Sequence, residues 1–122
     1  MTGGIVTPAQ VEAKLKQLSI EYDEAHRSLE SAEMQYAEAK SEYEISIARS
    51  RMRIGQRALE AGRKVTVQEK EDEALIECAD LYTAHNVAEA TVRAARANAT
   101  RLRTQIDIAR SVGTAVRAAL DL

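Results

Sequence analysis

From Val11 onward the apolar residues of this chain recur at alternating steps of four and three: Val11, Leu15, Leu18, Tyr22, Ala25, Leu29, Ala32, Tyr36, Ala39 and Tyr43. Ten successive heptad positions without a charge predict one long α-helix carrying a coiled-coil seam. Beyond Tyr43 a strict heptad lands on Ser46, Ser50 and Arg53, and the apolar track moves instead to Ile47, Ile54 and Ala58. The eleven-residue step from Tyr43 to Ile54 marks a stutter, which locally unwinds a left-handed supercoil.

The ends of this helix are also written in the sequence. Thr7 can cap, and Pro8 tolerates the first turn because it has no amide hydrogen to satisfy there. Gly62 is suited to stop the helix in a left-handed conformation. After the break "GRKVT", Thr66 and Glu69 form a capping box for a second helix. Its heptad track runs through Val67, Ala74, Cys78, Leu81, His85, Ala88, Val92, Ala95, Ala99, Leu102, Ile106, Ala109, Val116 and Leu120, with Glu71 and Gly113 as its two flaws. Gly113, in "RSVGTAV", predicts a kink, or an end with a restart at Thr114. The expected organisation is a single all-α domain over residues 1–122: helix 8–61, turn 62–66, helix 67–121, with a break near 113. Two helices of equal length joined by a short turn predict an antiparallel coiled-coil hairpin.

Composition narrows the picture. The chain has 122 residues, within the range of one domain. Phe and Trp are absent although 45% of residues are apolar, so the core must be thin and close-packed rather than broad. The single Cys rules out an internal disulfide and fits a reducing compartment. The N-terminus "MTGGIVTPAQ" has neither a basic segment nor a long apolar run, so no signal peptide is expected. Nothing approaches the roughly 18 apolar residues of a membrane span. A cytoplasmic protein with no membrane partner is expected.

Charge explains the break. Residues 1–48 carry a net −5, residues 49–64 +5, residues 65–92 −6 and residues 93–122 +4. Folding at Gly62–Thr66 lays the first block beside the fourth and the second beside the third. That register brings Arg49 near Asp80, and Arg53 near Glu77 or Glu73. Exposed ion pairs contribute only about 0–1 kcal/mol each, so the segregation selects orientation and register more than it stabilises.

Each helix has a second apolar stripe that one partner helix cannot cover. Ile45, Ala48, Met52 and Leu59 form it on the first helix. Leu75, Ala79 and Tyr82, then Ile108, Val112, Ala115 and Ala119, form it on the second. Because two helices bury only one seam, these stripes predict a homo-oligomer of hairpins, or a docking face for a partner protein. Ile45, Met52, Leu59, Leu75, Tyr82, Ile108 and Val112 are the candidate interface residues.

Catalytic chemistry is not expected. His26 and His85 fall far apart in the hairpin register, with His85 across from about residue 43, so no metal site is expected. Cys78 lies on the seam as a small apolar filler, seven residues from His85 and too far for activation. There is no Gly-rich phosphate loop, and no cofactor or small-molecule substrate is implied.

One cluster points outward. Arg49, Arg53 and Arg57 recur every four residues, and Arg51, Arg63 and Lys64 crowd the same end of the hairpin. Acids of the second helix can neutralise them. Alternatively, repeated around an oligomer, they form a phosphate-binding track for single-stranded nucleic acid; arginine forks suit bidentate phosphate contact. A basic stretch ending a long first helix ("IARSRMRIGQRALEAGRK"), then a break, then an acidic helix start ("TVQEKEDEAL"), resembles the order of parts in UvsY-type phage recombination mediators. That resemblance implies a ring-forming homo-oligomer that binds single-stranded DNA, with Arg49, Arg51 and Arg53 as DNA contacts, and that assists a RecA-like recombinase. The alternative reading is a coiled-coil adaptor or inhibitor that binds a host or phage protein through the apolar stripes.

Overall fold

The computed structural model describes residues 6–121. Three helices follow one another: α1 over Pro8–Glu60, α2 over Val67–Glu77 and α3 over Ala79–Leu120. The fold is an all-α helical hairpin, with no strand among the described residues.

Its helix ends are chemically closed. At the start of α1 the Gln10 amide donates to Thr7 Oγ1 at 3.2 Å, and the Thr7 amide donates to Gln10 Oε1 at 2.9 Å. This reciprocal box satisfies two orphan donors. The other end of α1 is a Schellman motif: Arg63 N–H donates to Ala58 O at 2.9 Å and Gly62 N–H to Leu59 O at 3.1 Å. Gly62 has a φ of +66°, which a side chain would disfavour. Thr66 caps α2, accepting from the Glu69 amide at 3.0 Å.

The helix interruption falls at Cys78, not at the expected Gly113. Cys78 has φ −103° and ψ 21°, yet its amide still donates to Ala74 O and its carbonyl accepts from Tyr82 N–H. It is a local distortion in a ladder that otherwise continues. Gly113 is helical and buried. A Cβ built there would meet Val11 Cγ1 at 2.9 Å, so this glycine serves close helix approach rather than a kink.

The chain divides into two compact units, one joining the residues up to Ser31 with those from Arg93 on, the other spanning Ala32–Val92. In the first unit, Leu18 and Ala25 of α1 form a core with Ala99, Leu102 and Ile106 of α3; Leu15, Tyr22 and Ala109 pack against it. The pairing of Val11 with Gly113 at one end and of Ala25 with Ala99 at the other is antiparallel. In the second unit, Ile47 and Ile54 of α1 pack with Ala74 and Cys78, with Tyr43 alongside. Ser50 is fully buried there and Ala58 nearly so. The seam thus steps through Tyr43, Ile47, Ser50 and Ile54, an eleven-residue period with Ser50 as a core position. The outermost residues of the second track leave it: Val67 and Leu120 are exposed.

Candidate functional site

The six basic residues near the turn separate into two groups. Glu77, the last residue of α2, gathers three donors from α1. Arg53 reaches its Oε2 at 2.9 Å and Arg57 its Oε1 at 3.0 Å, while the buried Ser50 hydroxyl donates to Oε2. The Ser50 hydrogen bond, then the arginines, hold the Glu77 carboxyl down to about 2, against partial desolvation that pushes it up. Arg51 pairs separately with Glu71, its Nη2 2.7 Å and its Nε 2.8 Å from Oε2. Three arginines therefore spend their donors on two carboxylates. Arg49, Arg63 and Lys64 make no side-chain hydrogen bond or ion pair with any described residue. The sequence register is correct for Arg53 and Glu77. Arg49 and Asp80 are both exposed, and no ion pair joins them.

Beyond this ionic cluster lies an aromatic one. Tyr43 stands 5.5 Å from both Tyr82 and His85, and His85 stands 5.4 Å from Tyr36. Tyr36 also donates to Glu89 Oε2 at 3.4 Å. Burial, then the neighbouring Tyr82, raises the Tyr43 hydroxyl above its ordinary value. His85 faces residue 43, as the register requires. In the first unit His26 has its own partner, the Tyr22 hydroxyl at 3.0 Å, with the two rings edge to face. Every buried side-chain nitrogen and oxygen among the described residues has a hydrogen-bond partner. Among the same residues no three of His, Cys, Asp and Glu gather as metal ligands, and no helix is long and apolar enough to cross a membrane.

The apolar stripes lie where the sequence puts them. Ile45 is 53% exposed, Met52 76% and Leu59 75%. Leu75, Tyr82, Ile108 and Val112 are exposed as well. In the first unit, Ile108 and Val112 line a groove of about 450 Å³ with Val6, Val11, Leu18 and Ala109, while Gln10, Lys14 and Gln105 supply its polar lining.

Two features escaped the sequence reading. Ser50 is one; the strict heptad after Tyr43 lands on it, but the apolar track from Ile47 to Ile54 passes over it because it is polar. The α1 wall of the groove is the other, because Val11 and Leu18 read as ordinary seam residues and only the three-dimensional packing shows that these buried residues also line the groove. Comparison with protein-family models, with curated proteins and with solved structures gives no match for this chain.

Proposed function

We propose that this protein is a non-catalytic helical adaptor that grips an amphipathic helix of a partner protein in the groove of its first unit. The supporting observation is that Ile108 and Val112 stand solvent-facing on the wall of an apolar opening. Aliphatic side chains spaced i, i+3 and i+4 on a partner helix suit such a groove, and Lys14 at its lining favours an acidic flank. The test has two steps. A pull-down from the native cell should recover one stoichiometric partner that Ile108→Asp loses. The partner's contact segment, made as a peptide, should then shift the amide resonances of Val11, Leu18 and Val112. A partner retained by Ile108→Asp, or a peptide that leaves those resonances unmoved, overturns the reading.

A second reading is a single-stranded-DNA-binding accessory protein of phage-type recombination that works beside a RecA-like recombinase. It draws on Arg49, Arg63 and Lys64, which no described acid neutralises. Pairing of Arg51, Arg53 and Arg57 with Glu71 and Glu77 reduces the field such a track would offer. Anisotropy with a labelled oligonucleotide decides it: salt-sensitive binding lost on Arg49→Ala/Arg63→Ala supports this reading, and no binding at low salt removes it.

A further inference from the structure

We propose that α2 is a latch: it opens from α1 while the rest of its unit stays folded, and when closed it withholds Ile54 and three arginines of α1 from other molecules. This goes beyond the adaptor reading and concerns the other unit.

α2 is a poor helix by itself. It has 11 residues, below the roughly 12–15 under which even alanine-rich helices are marginal in water. Five of those residues are acids and one is a base. Glu69, Glu73 and Glu77 follow one another at four-residue steps, a spacing at which like charges destabilise a helix. Both of its ends are joints. Before it lies the turn at Gly62, with a φ of +66°. After it lies Cys78, whose φ of −103° and ψ of 21° depart from helical values.

α2 is held down largely by its carboxylates. Ala74 is its buried residue, and Val67, Leu75 and Ile76 are exposed. Ala74 brings a single methyl group to the cluster of Ile47, Ile54 and Cys78. The polar attachments are the pair of Arg51 with Glu71 and the set of Ser50, Arg53 and Arg57 around Glu77. Local opening needs least free energy where few apolar contacts are buried, and α2 meets that condition. α1 need not unfold when α2 lifts, because its backbone hydrogen bonds are internal to a 53-residue helix.

Closure changes what α1 can offer. With α2 down, Ile54 is 1% exposed, and the guanidinium groups of Arg51, Arg53 and Arg57 spend donors on Glu71 and Glu77. With α2 up, the same stretch presents Ile54 together with three arginines that lie within three residues of it and have lost their acids. The contact is therefore autoinhibitory: α2 occupies a surface of α1 suited to an anionic partner with an apolar spot.

Amide hydrogen exchange of the full chain, read residue by residue by NMR, tests this. Protection factors over residues 70–77 should lie roughly tenfold or more below those over residues 47–58 of α1. Glu77→Ala should lower protection over 70–77 by roughly a further tenfold, although alanine is the better helix former. Arg53→Gln/Arg57→Gln, on the other helix, should act in the same direction, and adding Glu77→Ala to it should change little more, since both remove one contact. Residues 47–58 should keep the protection of the parent in every variant. Equal protection in α2 and α1, protection unchanged or raised in Glu77→Ala, or no response of α2 to the two arginine substitutions overturns the proposal. Ile108→Asp, in the other unit, should exchange over 70–77 like the parent, so loss of the groove partner and loss of the latch are separate results.

Discussion

Replacing each of three glycines by alanine should give three different outcomes, because each occupies a different physical situation. At Gly55 the added methyl meets open space, and the gain is helix propensity, about 0.5–1 kcal/mol. At Gly113 the methyl arrives 2.9 Å from Val11 Cγ1. Val11 is 7% exposed, and its β-branched side chain has one strongly preferred rotamer in a helix, so it cannot swing aside and the two helices must separate. Overpacking of this kind costs about 1–3 kcal/mol, which exceeds the propensity gain and leaves a net loss of about 1 kcal/mol. At Gly62 there is room, but a φ of +66° imposes a left-handed penalty of about 1–2 kcal/mol on any side chain. Urea unfolding followed by circular dichroism measures all three at one protein concentration. The expected order of midpoints is Gly55→Ala above the parent, with both other variants below it. A Gly113→Ala protein as stable as Gly55→Ala would refute the close approach of α1 and α3 at Val11, and with it the account of why the helix does not break there.

Two further substitutions probe the second unit. The Glu77 carboxyl, held down to about 2 from an ordinary 4.5, contributes stability that is complete above the ordinary value and lost as pH falls through the folded one. The difference in melting temperature between the parent and Glu77→Gln should therefore shrink steadily as pH is lowered from 5 towards 2, and a gap that stays constant contradicts the assignment. Ile54 is 1% exposed within the cluster of Ile47, Ala74 and Cys78, so Ile54→Ala should cost about 2–5 kcal/mol in urea unfolding, whereas the exposed Ile76→Ala should change it by less than about 0.5 kcal/mol.

The heptad from Val11 to Tyr43 and the charge blocks were enough to read an antiparallel hairpin, because seam burial and ionic register are properties of sequence spacing. Buried Leu18, Ala25 and Ala32 and the pairing of Arg53 with Glu77 follow from that spacing directly. Gly113 and Cys78 did not follow, and for one reason. A glycine in a helix is ambiguous between flexibility and close contact, and only the position of the facing Val11 decides between them. Cys78 carries no sequence mark of irregularity at all; the distortion lies where it packs against Ile47 and Ile54, the stretch in which the first helix has changed period. Ser50 lies inside under either period, since the strict heptad and the eleven-residue step both place it on the seam.

That shift has a consequence for the candidate site. A serine in the seam opposite Glu77 gives the carboxylate a buried donor, and the carboxylate in turn holds Arg53 and Arg57 against the hairpin. Had the heptad continued unbroken, Arg53 itself would occupy a seam position, and burying its charge would cost far more than any exposed pair returns. The stutter moves the arginines to the flanks, where they can pair with Glu77 while staying 58% exposed. It also turns Ile45, Met52 and Leu59 to the back of α1. One local change of period thus determines both which cations the hairpin neutralises and which apolar face it leaves outward, so the basic cluster and the outward stripe are two results of the same packing solution.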